Sequence, residues 1–231
     1  MSSPTLVRLS KAEVAAAQAV VAVSHYLRKP VDPRSSVEGF GVFLAGHRVG
    51  ILLLGRPQAP ACYPWYGSVA DLVSGRATCS RWQVLNLARV WFDPRVQPGG
   101  ALYGPDRLPG FHDRRGSFRS ILGSSTIALL AERVVLDYLV ARPPCFLDEP
   151  YELQWLLSYC DTRRHRGVLY RAAGFELWRA NATGLQTWRL PLRPLTAEED
   201  HLVRAAALRN PRSIGHRARR AQQDLPLEAR A

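Results

Sequence analysis

Disulfide-type cysteine pairs, zinc-type cysteine clusters and long apolar runs are all missing from this 231-residue chain. The absence of any C-x-x-C pair favours a reducing cytoplasm over a disulfide-bonded or zinc-stabilised fold. The longest apolar runs, such as VGILLL at 49–54, are too short to span a bilayer, so we expect no membrane partner. Glu13 and Gln18 interrupt the apolar stretch near the beginning, which predicts a helix and not a signal segment. The cysteines are Cys62, Cys79, Cys145 and Cys160.

Acidic residues and lysines are scarce as well. The chain has 31 Lys and Arg against 19 Asp and Glu, a net charge of +12, and only Lys11 and Lys29 are lysines. Arginine forks match phosphate oxygens in pairs, so this composition indicates a polyanionic partner, although a codon preference for arginine would give the same count. With 47% hydrophobic residues we expect one domain over 1–195, followed by a C-terminal helix and a basic, flexible tail over 196–231.

Hydrophobic periodicity divides the first half of the chain into a helix, a hairpin and a strand. Ser10 and Glu13 have the spacing of a capping box, which predicts a helix over 11–27. Two β-rich runs separated by a Gly-His turn predict an antiparallel hairpin across 37–54. The run QVLNLARVWFD at 83–93 is mostly apolar on both faces, as expected for a central strand.

The second half of the chain alternates loops with a helix and further strands. A loop over 94–119, rich in Pro and Gly, has the length of a functional or disordered segment. A helix with a clear apolar stripe is predicted over 125–140, directly after the sequence GSS. Strands are predicted at 153–161 and 185–192.

The segment YCDTRRHRGVLYRAAGFEL, which begins at Tyr159, runs from a strand through an Arg- and His-rich loop into a short apolar helix. Gly174 stands where a left-handed helix cap belongs, directly before Phe175. The pattern therefore predicts strand, loop, helix and strand. The loop then lies at the end of a buried strand, where α/β proteins usually bind their ligands.

This order of elements resembles the Gcn5-related N-acetyltransferase (GNAT) superfamily, and RGVLYRAAGFEL is similar to its signature segment. The motifs SHYLRKP at 24–30, LNLARVWF, and SYCDTRRHRGVLYRAAGF resemble, within that superfamily, the Mom family of phage DNA-modification proteins. The resemblance implies an α+β fold with a splayed mixed sheet flanked by helices. It also implies a host-cytoplasmic transferase that adds a carbamoylmethyl-type group to the adenine amine of double-stranded DNA and so evades restriction.

The resemblance implies four catalytic candidates: His25, Tyr26, Asp161 and Tyr170. Each has a structural alternative. His25 lies on an apolar helical face and can be a core histidine, Asp161 can cap a loop or orient a base or amine in a cleft, and Tyr170 can be core or can protonate a thiolate leaving group. His25, Tyr26 and Asp161 are chemically able to ligate iron, but their loose spacing identifies no metal site.

An acyl donor such as acetyl-CoA is the implied cofactor. The usual Gly-rich pyrophosphate loop is missing, and RSILGSST stands in its place. Ser124 and Ser125 present hydroxyls and N–H groups at a helix start, which suits an anion, although Ser124 can equally be a helix cap. Arg89 and Val90 of the central strand are further cofactor-binding candidates, and Arg89 needs a buried partner there.

Arginine-rich loops are the candidates for DNA contacts. Aromatic residues of CYPWYG at 62–67, together with Phe111 and His112, are candidates for stacking or for wedging the duplex, with burial as the alternative. The arginines are Arg114, Arg115, Arg163, Arg164 and Arg166.

Two other functions remain open: a conventional GNAT acetyltransferase acting on a small-molecule or peptide amine, and a non-catalytic protein that binds nucleic acid. The catalytic interpretation requires the end of the first helix and the tip of the strand ending at Asp161 to meet. We therefore expect His25 and Asp161 to line one pocket.

Overall fold

The computed structural model describes most of the chain, and the ranges are 3–25, 31, 38–55, 57, 66–67, 74, 79–80, 83–141, 153–194, 196–199 and 201. Tyr26, the stacking candidates at 62–65 and the predicted basic tail beyond 201 lie outside the described residues. The chain divides into one unit of residues 1–131 and 155–191 and a second unit of residues 132–154 and 192–231. The predicted domain division after residue 195 stays a prediction.

The elements described in full are eleven strands and three α-helices, and residues 197–199 are helical as well. In chain order they are β1 (Thr5–Arg8), α1 (Lys11–Ser24), β2 (Glu38–Leu44), β3 (His47–Gly55), β4 (Tyr66–Gly67), β5 (Cys79–Ser80), β6 (Val84–Phe92), β7 (Gly110–His112), β8 (Phe118–Ser120), α2 (Leu122–Ala141), β9 (Trp155–Asp161), α3 (Val168–Ala172), β10 (Glu176–Ala180) and β11 (Leu185–Pro191). None of these helices is long and apolar enough to cross a bilayer.

A seven-stranded mixed sheet, in the order β1-β2-β3-β6-β9-β11-β10, forms the centre of the first unit. Its neighbours pair antiparallel except β6 and β9, which run parallel. That parallel pairing covers only residues 84–86 of β6 and 155–157 of β9. At the next step the Ser158 hydroxyl donates to the Leu87 carbonyl at 2.9 Å, and beyond it the described ladder ends. The sheet is therefore splayed, as predicted.

Helix α1 packs on the sheet and begins with the predicted capping box. The Glu13 N–H donates to Ser10 Oγ at 3.3 Å, and the Ser10 N–H donates to the Glu13 carboxylate at 2.7 Å. Such a cap stabilises a helix by about 1 kcal/mol. The helix ends at Ser24 instead of 27, because the backbone at His25 is extended while its N–H still donates to the Val21 carbonyl. This cap fixes His25 at the carboxyl end of the helix.

The hairpin of β2 and β3 is confirmed, but its turn lies one residue earlier than predicted. Ala45 and Gly46 have φ angles of +48° and +80°, and His47 already belongs to β3. Two consecutive left-handed residues are what a two-residue hairpin turn requires. The Gly-His pair therefore supplies only one of the two turn positions.

The predicted loop over 94–119 is ordered and contains short regular elements. It contains a 3₁₀ turn at Pro94–Val96 and a small antiparallel hairpin of β7 and β8. Asp113 organises the hairpin turn, because its carboxylate accepts from the N–H groups of Arg115 and Ser117 and from Arg119 Nε. Strands of three residues are too short for hydrophobic alternation to reveal.

Candidate functional site

A first cavity of about 380 Å³ is lined by β6 and β9 where the two strands diverge. His25 comes from the end of α1, Val90 from β6 and Cys160 from β9. The loop and short helix after β9 complete the wall with residues 165–170. The segment YCDTRRHRGVLYRAAGFEL therefore contributes much of the lining of one concave site.

His25 is buried, with 8% of its surface exposed, and it lines this cavity. Burial, together with the positive charges of Arg89 and His165, lowers its pKa to about 4. The imidazole is consequently uncharged at neutral pH and can accept a proton. Both alternatives for His25 hold structurally, since it is a buried histidine and also a cavity wall; its catalytic role stays a prediction.

Tyr170 lies on α3 and also lines the first cavity. Its ring stacks with that of Trp188 at a centroid distance of 6.2 Å and contacts Phe175 at 5.5 Å. The helix is bracketed by glycines in left-handed conformations, Gly167 at φ +66° and Gly174 at φ +87°. The predicted cap at Gly174 is confirmed, and the aromatic packing holds Tyr170 at the cavity wall.

Cys160 is a cavity residue that the sequence analysis did not select. Its thiol donates to the His165 carbonyl at 3.3 Å, and burial raises its pKa. The sulfur is therefore held as a thiol and not as the nucleophilic thiolate. Cys160 lies next to Asp161 at the end of a predicted buried strand, and this position could have identified it as a cavity residue from the sequence.

Asp161 lines a second cavity, also of about 380 Å³, together with Asn86, Arg89 and Thr183. Its carboxylate accepts from the Arg163 N–H at 3.1 Å and from the Arg163 guanidinium at 2.9 and 2.8 Å. This pairing lowers the pKa of Asp161 to about 2. Asp161 therefore caps its loop and also lines a cavity, and its role in orienting a base or amine stays a prediction.

The expectation that His25 and Asp161 line one pocket is wrong. They line two cavities that share Ala88 and Tyr159 as wall residues. The two cavities are therefore neighbours.

Ser124 and Ser125 lie inside the first turn of α2 and not before it. The Ser124 hydroxyl donates to the Ile121 carbonyl at 3.1 Å, and that of Ser125 donates to the carbonyls of Ile121 and Leu122. Ser120 is the residue whose hydroxyl accepts from a helix N–H, that of Leu122 at 3.1 Å. The suggestion that Ser124 caps the helix is therefore wrong, because α2 begins three residues earlier than predicted.

Arg89 and Val90 separate in the structure. Val90 lines the first cavity and Arg89 the second, where Arg89 Nη1 also donates to the Ala88 carbonyl at 2.6 Å. The division follows position along β6, since Asn86 and Arg89 line the second cavity and Val90, Trp91 and Phe92 line the first.

The five candidate DNA-contact arginines are all exposed, in two loops. Arg114 and Arg115 occupy the turn between β7 and β8, beside His112 and the 56% exposed Phe111. Arg163, Arg164 and Arg166 follow β9; Arg163 is paired with Asp161, and Arg166 also lines the first cavity. Their DNA contacts stay predictions.

The part of the chain that the structure describes contains no group of three or more His, Cys, Asp or Glu side chains placed to hold a metal ion. Tyr26, one of the three iron-ligand candidates, is outside that part.

The chain matches no protein-family model and no curated protein. Among solved structures, it aligns with the aminoglycoside acetyltransferase AAC(6')-Ib in complex with paromomycin and acetyl-CoA at 14% identity and a TM-score of 0.47, covering 90% of this chain and 98% of that one. An N-acetyltransferase from Staphylococcus aureus Mu50 aligns at 11% identity and a TM-score of 0.42, covering 83% and 100%. The spermidine/spermine N-acetyltransferase SpeG from Vibrio cholerae, in complex with manganese ions, aligns at 11% identity and a TM-score of 0.41, covering 82% and 93%. Overlaps of this size do not decide an activity.

Proposed function

We propose that this protein is a transferase that moves an acyl-derived group from a CoA-type thioester to an amine. The observation that carries the proposal is the first cavity, which lies where β6 and β9 diverge and is lined by an uncharged histidine and a tyrosine. An amine attacking an acyl group must lose a proton, and a neutral imidazole is suited to take it. The GNAT resemblance of the sequence supports the same function.

The chain's own groups divide the work in this proposal. His25 receives the proton of the acceptor amine at a ring nitrogen, which burial keeps unprotonated until that moment. Tyr170 holds a phenolic O–H at the same wall, fixed by its contacts with Trp188 and Phe175. Only a small part of the His25 surface is exposed, so the imidazole is largely desolvated.

The residues present fit a thioester donor in part. The donor, when bound, supplies an activated acyl carbon and a thiol leaving group. The N–H groups of Gly123 and Ser124 belong to the first turn of α2, where no carbonyl of the helix can accept them, and this suits a phosphate. Val90 and Arg166 of the first cavity are the other candidates for holding the donor.

Acetyl-CoA binding to the purified protein tests this proposal. We expect calorimetry to show saturable binding of acetyl-CoA, and we expect slow release of free CoA to depend on His25. His25→Ala and Tyr170→Phe should keep binding within about threefold while lowering CoA release at least about tenfold. Absence of acetyl-CoA binding by the folded wild-type protein would overturn the proposal.

The finer candidate is modification of the adenine amine in double-stranded DNA, with a carbamoylmethyl-type group, as in the Mom family. The hairpin of β7 and β8 favours it, because the turn displays Arg114 and Arg115 beside the exposed ring of Phe111. Arginines of this kind pair with phosphates, and an exposed ring can stack on a base. An enzyme acting on a paired base must first extrude it, at a cost of a few kcal/mol.

Mass analysis of nucleosides from cells that express the protein tests this finer candidate. A new adenosine adduct that disappears with His25→Ala is the expected result. An unchanged nucleoside profile, together with acetyl-CoA turnover on small amines, would favour a conventional acetyltransferase. An unchanged profile with tight, salt-sensitive DNA binding would favour a non-catalytic DNA-binding protein.

Salt titration of DNA binding tests the role of the hairpin. Substituting both Arg114 and Arg115 by Ala should reduce the dependence of the logarithm of affinity on the logarithm of salt by about two contacts. The double substitution of Arg48 and Arg107, two other exposed arginines, changes the net charge equally and serves as the control. Equal effects of the two double variants would show that the hairpin has no special role.

A further inference from the structure

Two arginines from different elements line the second cavity. Arg89 belongs to the central strand β6, and Arg163 belongs to the loop that follows β9. The described lining contains a single carboxylate, that of Asp161, and it is paired with Arg163 at 2.8 Å. With two guanidinium groups against one carboxylate, the described lining keeps a net positive charge.

The pairing with Asp161 leaves Arg163 able to bind a further oxyanion. Arg163 donates to that carboxylate through Nε and Nη2, whereas a guanidinium has five N–H donors. Among the residues that the structure describes, Nη1 of Arg163 has no hydrogen-bond partner. The Arg163 side chain is 75% exposed, so an incoming ligand can reach it. Guanidinium groups bind carboxylates and phosphates through parallel N–H groups.

Arg89 connects the second cavity electrostatically to His25 in the first. Burial is the main cause of the lowered pKa of His25, the positive charge of Arg89 is the next cause, and His165 is the third. An anion bound next to Arg89 would offset that positive charge and so favour a protonated imidazole. The other titratable side chains that line the first cavity are Tyr159, Cys160, Arg166 and Tyr170.

We propose that the second cavity binds a small oxyanion, a carboxylate or a phosphate, between Arg89 and Arg163, and that the bound anion offsets the charge that Arg89 exerts on His25. The anion site does not depend on the proposed function. Its effect on transfer rests on that function, in which a more basic His25 takes the proton of the amine more readily. A volume of about 380 Å³ exceeds what a bare phosphate needs, so the anion can be part of a small molecule.

Inorganic phosphate and trifluoroacetate are suitable probes, because both stay ionised in mild acid. Phosphorus and fluorine NMR titrations of the full-length protein, without any acyl donor and with ionic strength held constant by sodium chloride, should show saturable binding of at least one probe. Binding of phosphate alone identifies a phosphate-bearing ligand, and binding of trifluoroacetate alone identifies a carboxylate-bearing ligand. Saturable binding of neither probe overturns the anion site.

Arg163→Gln should weaken probe binding about tenfold, the value of one charge-assisted hydrogen bond. Arg164→Gln is the matched control, because it removes the same charge from the adjacent residue, which is not among the described lining residues. It should change the affinity by less than about twofold. Equal weakening in the two variants would show that the probe responds only to net charge, and this result also overturns the site.

NMR titration of the His25 ring tests the link between the two cavities. In the presence of the probe, the pKa of His25 should be at least about 0.3 higher than in sodium chloride of equal ionic strength. Arg89→Gln should raise this pKa without the probe and abolish the further rise, and thermal melts establish whether the variant is folded. If it does not fold, Arg163→Gln at the same probe concentration should show a smaller rise. An unchanged His25 titration in the saturated wild-type protein overturns the link.

These measurements fail separately from the acetyl-CoA test. Probe binding at Arg163 without acetyl-CoA binding supports the anion site and removes the proposed function. Acetyl-CoA turnover without probe binding supports the function and overturns the anion site. Displacement of the probe by acetyl-CoA would assign the second cavity to the donor and overturn a separate anion site.

Discussion

The two cavities are lined in part by the same strand, yet they differ in their charged groups. The first is lined by a buried histidine whose pKa is lowered to about 4 and by a thiol whose pKa is raised, so these two groups are uncharged at neutral pH, and the Arg166 guanidinium also lines it. The second holds the ion pair of Asp161 and Arg163, whose charges survive because each stabilises the other. Strand β6 lines both cavities, the second with Asn86 and Arg89 and the first with Val90, Trp91 and Phe92.

Substitution of His25 is expected to have the largest effect on turnover. It tests directly whether the first cavity, and not the second, carries out the chemistry. His25→Ala should lower turnover about 100-fold or more, because it removes the proton acceptor, while Asp161→Asn should lower it far less. Steady-state rates with an identified amine acceptor measure both. A larger loss in Asp161→Asn than in His25→Ala would reverse the roles assigned to the two cavities.

Gly167, in the wall of the first cavity, should be far less tolerant than Gly174 at the other end of α3. Both have positive φ angles, so alanine costs about 1–2 kcal/mol of backbone strain at either position. At Gly167, however, a Cβ would lie 2.5 Å from the Trp188 ring, whereas at Gly174 its nearest neighbour is Leu190 at 3.5 Å. We expect Gly167→Ala to lose about 1–3 kcal/mol more unfolding free energy than Gly174→Ala.

Chemical denaturation is the measurement for this pair. Equal losses in the two variants would mean that Trp188 moves aside without cost, and the wall of the first cavity would then be less rigid than its packing indicates.

The two cavities should also respond to acid in different pH windows. His25 has a folded pKa of about 4 against an ordinary value of 6.5, so folding favours its neutral form. Its contribution is fully present above pH 6.5 and is lost as the pH falls toward 4, by up to about 3 kcal/mol. Asp161 has a folded pKa of about 2 against 3.8, so its contribution is lost only as the pH falls from about 4 to about 2.

Denaturant unfolding between pH 7 and pH 2 separates the two contributions. His25→Gln should flatten the dependence between pH 6.5 and 4 and leave the more acidic part unchanged, and Asp161→Asn should do the reverse. A wild-type profile that is flat between pH 6.5 and 4 would contradict the buried, neutral state of His25.

Ser158, at the last step of the β6–β9 contact, is expected to give the smallest of these effects. Ser158→Ala removes the hydrogen bond to the Leu87 carbonyl and should cost about 1 kcal/mol of unfolding free energy. Exposed Ser117→Ala is the comparison, and it should change stability by less than about 0.5 kcal/mol. Equal losses of unfolding free energy in the two variants would show that the Ser158 hydroxyl does not stabilise the contact between β6 and β9.

The sequence predicted the parts of the fold that depend on local chemistry. The capping box at Ser10 and Glu13 and the left-handed cap at Gly174 follow from residues close in the chain, and both are confirmed. The start of α2 was misplaced because Ser120, and not Ser124, provides the cap. Nothing local distinguishes these two serines, since the choice depends on where β8 ends.

The site was predicted less completely than the fold, because it too depends on contacts between residues far apart in sequence. His25 and Tyr170 do share a cavity, but Asn86 and Cys160 were missed because a cavity wall is assembled from strands far apart in sequence. Asp161 was expected to line one pocket with His25, whereas the two residues line neighbouring cavities that share Tyr159 and Ala88.

The short seam between β6 and β9 has a mechanical consequence. Strands β1, β2, β3 and β6 form one half-sheet and β9, β11 and β10 the other, and in the ladder only residues 84–86 and 155–157 join them. The two half-sheets should therefore move relative to each other. Backbone amides in the β6–β9 pairing should exchange hydrogen faster than amides inside either half-sheet. A ligand bound where β6 and β9 diverge would contact both half-sheets, so it should restrict their relative motion and slow that exchange.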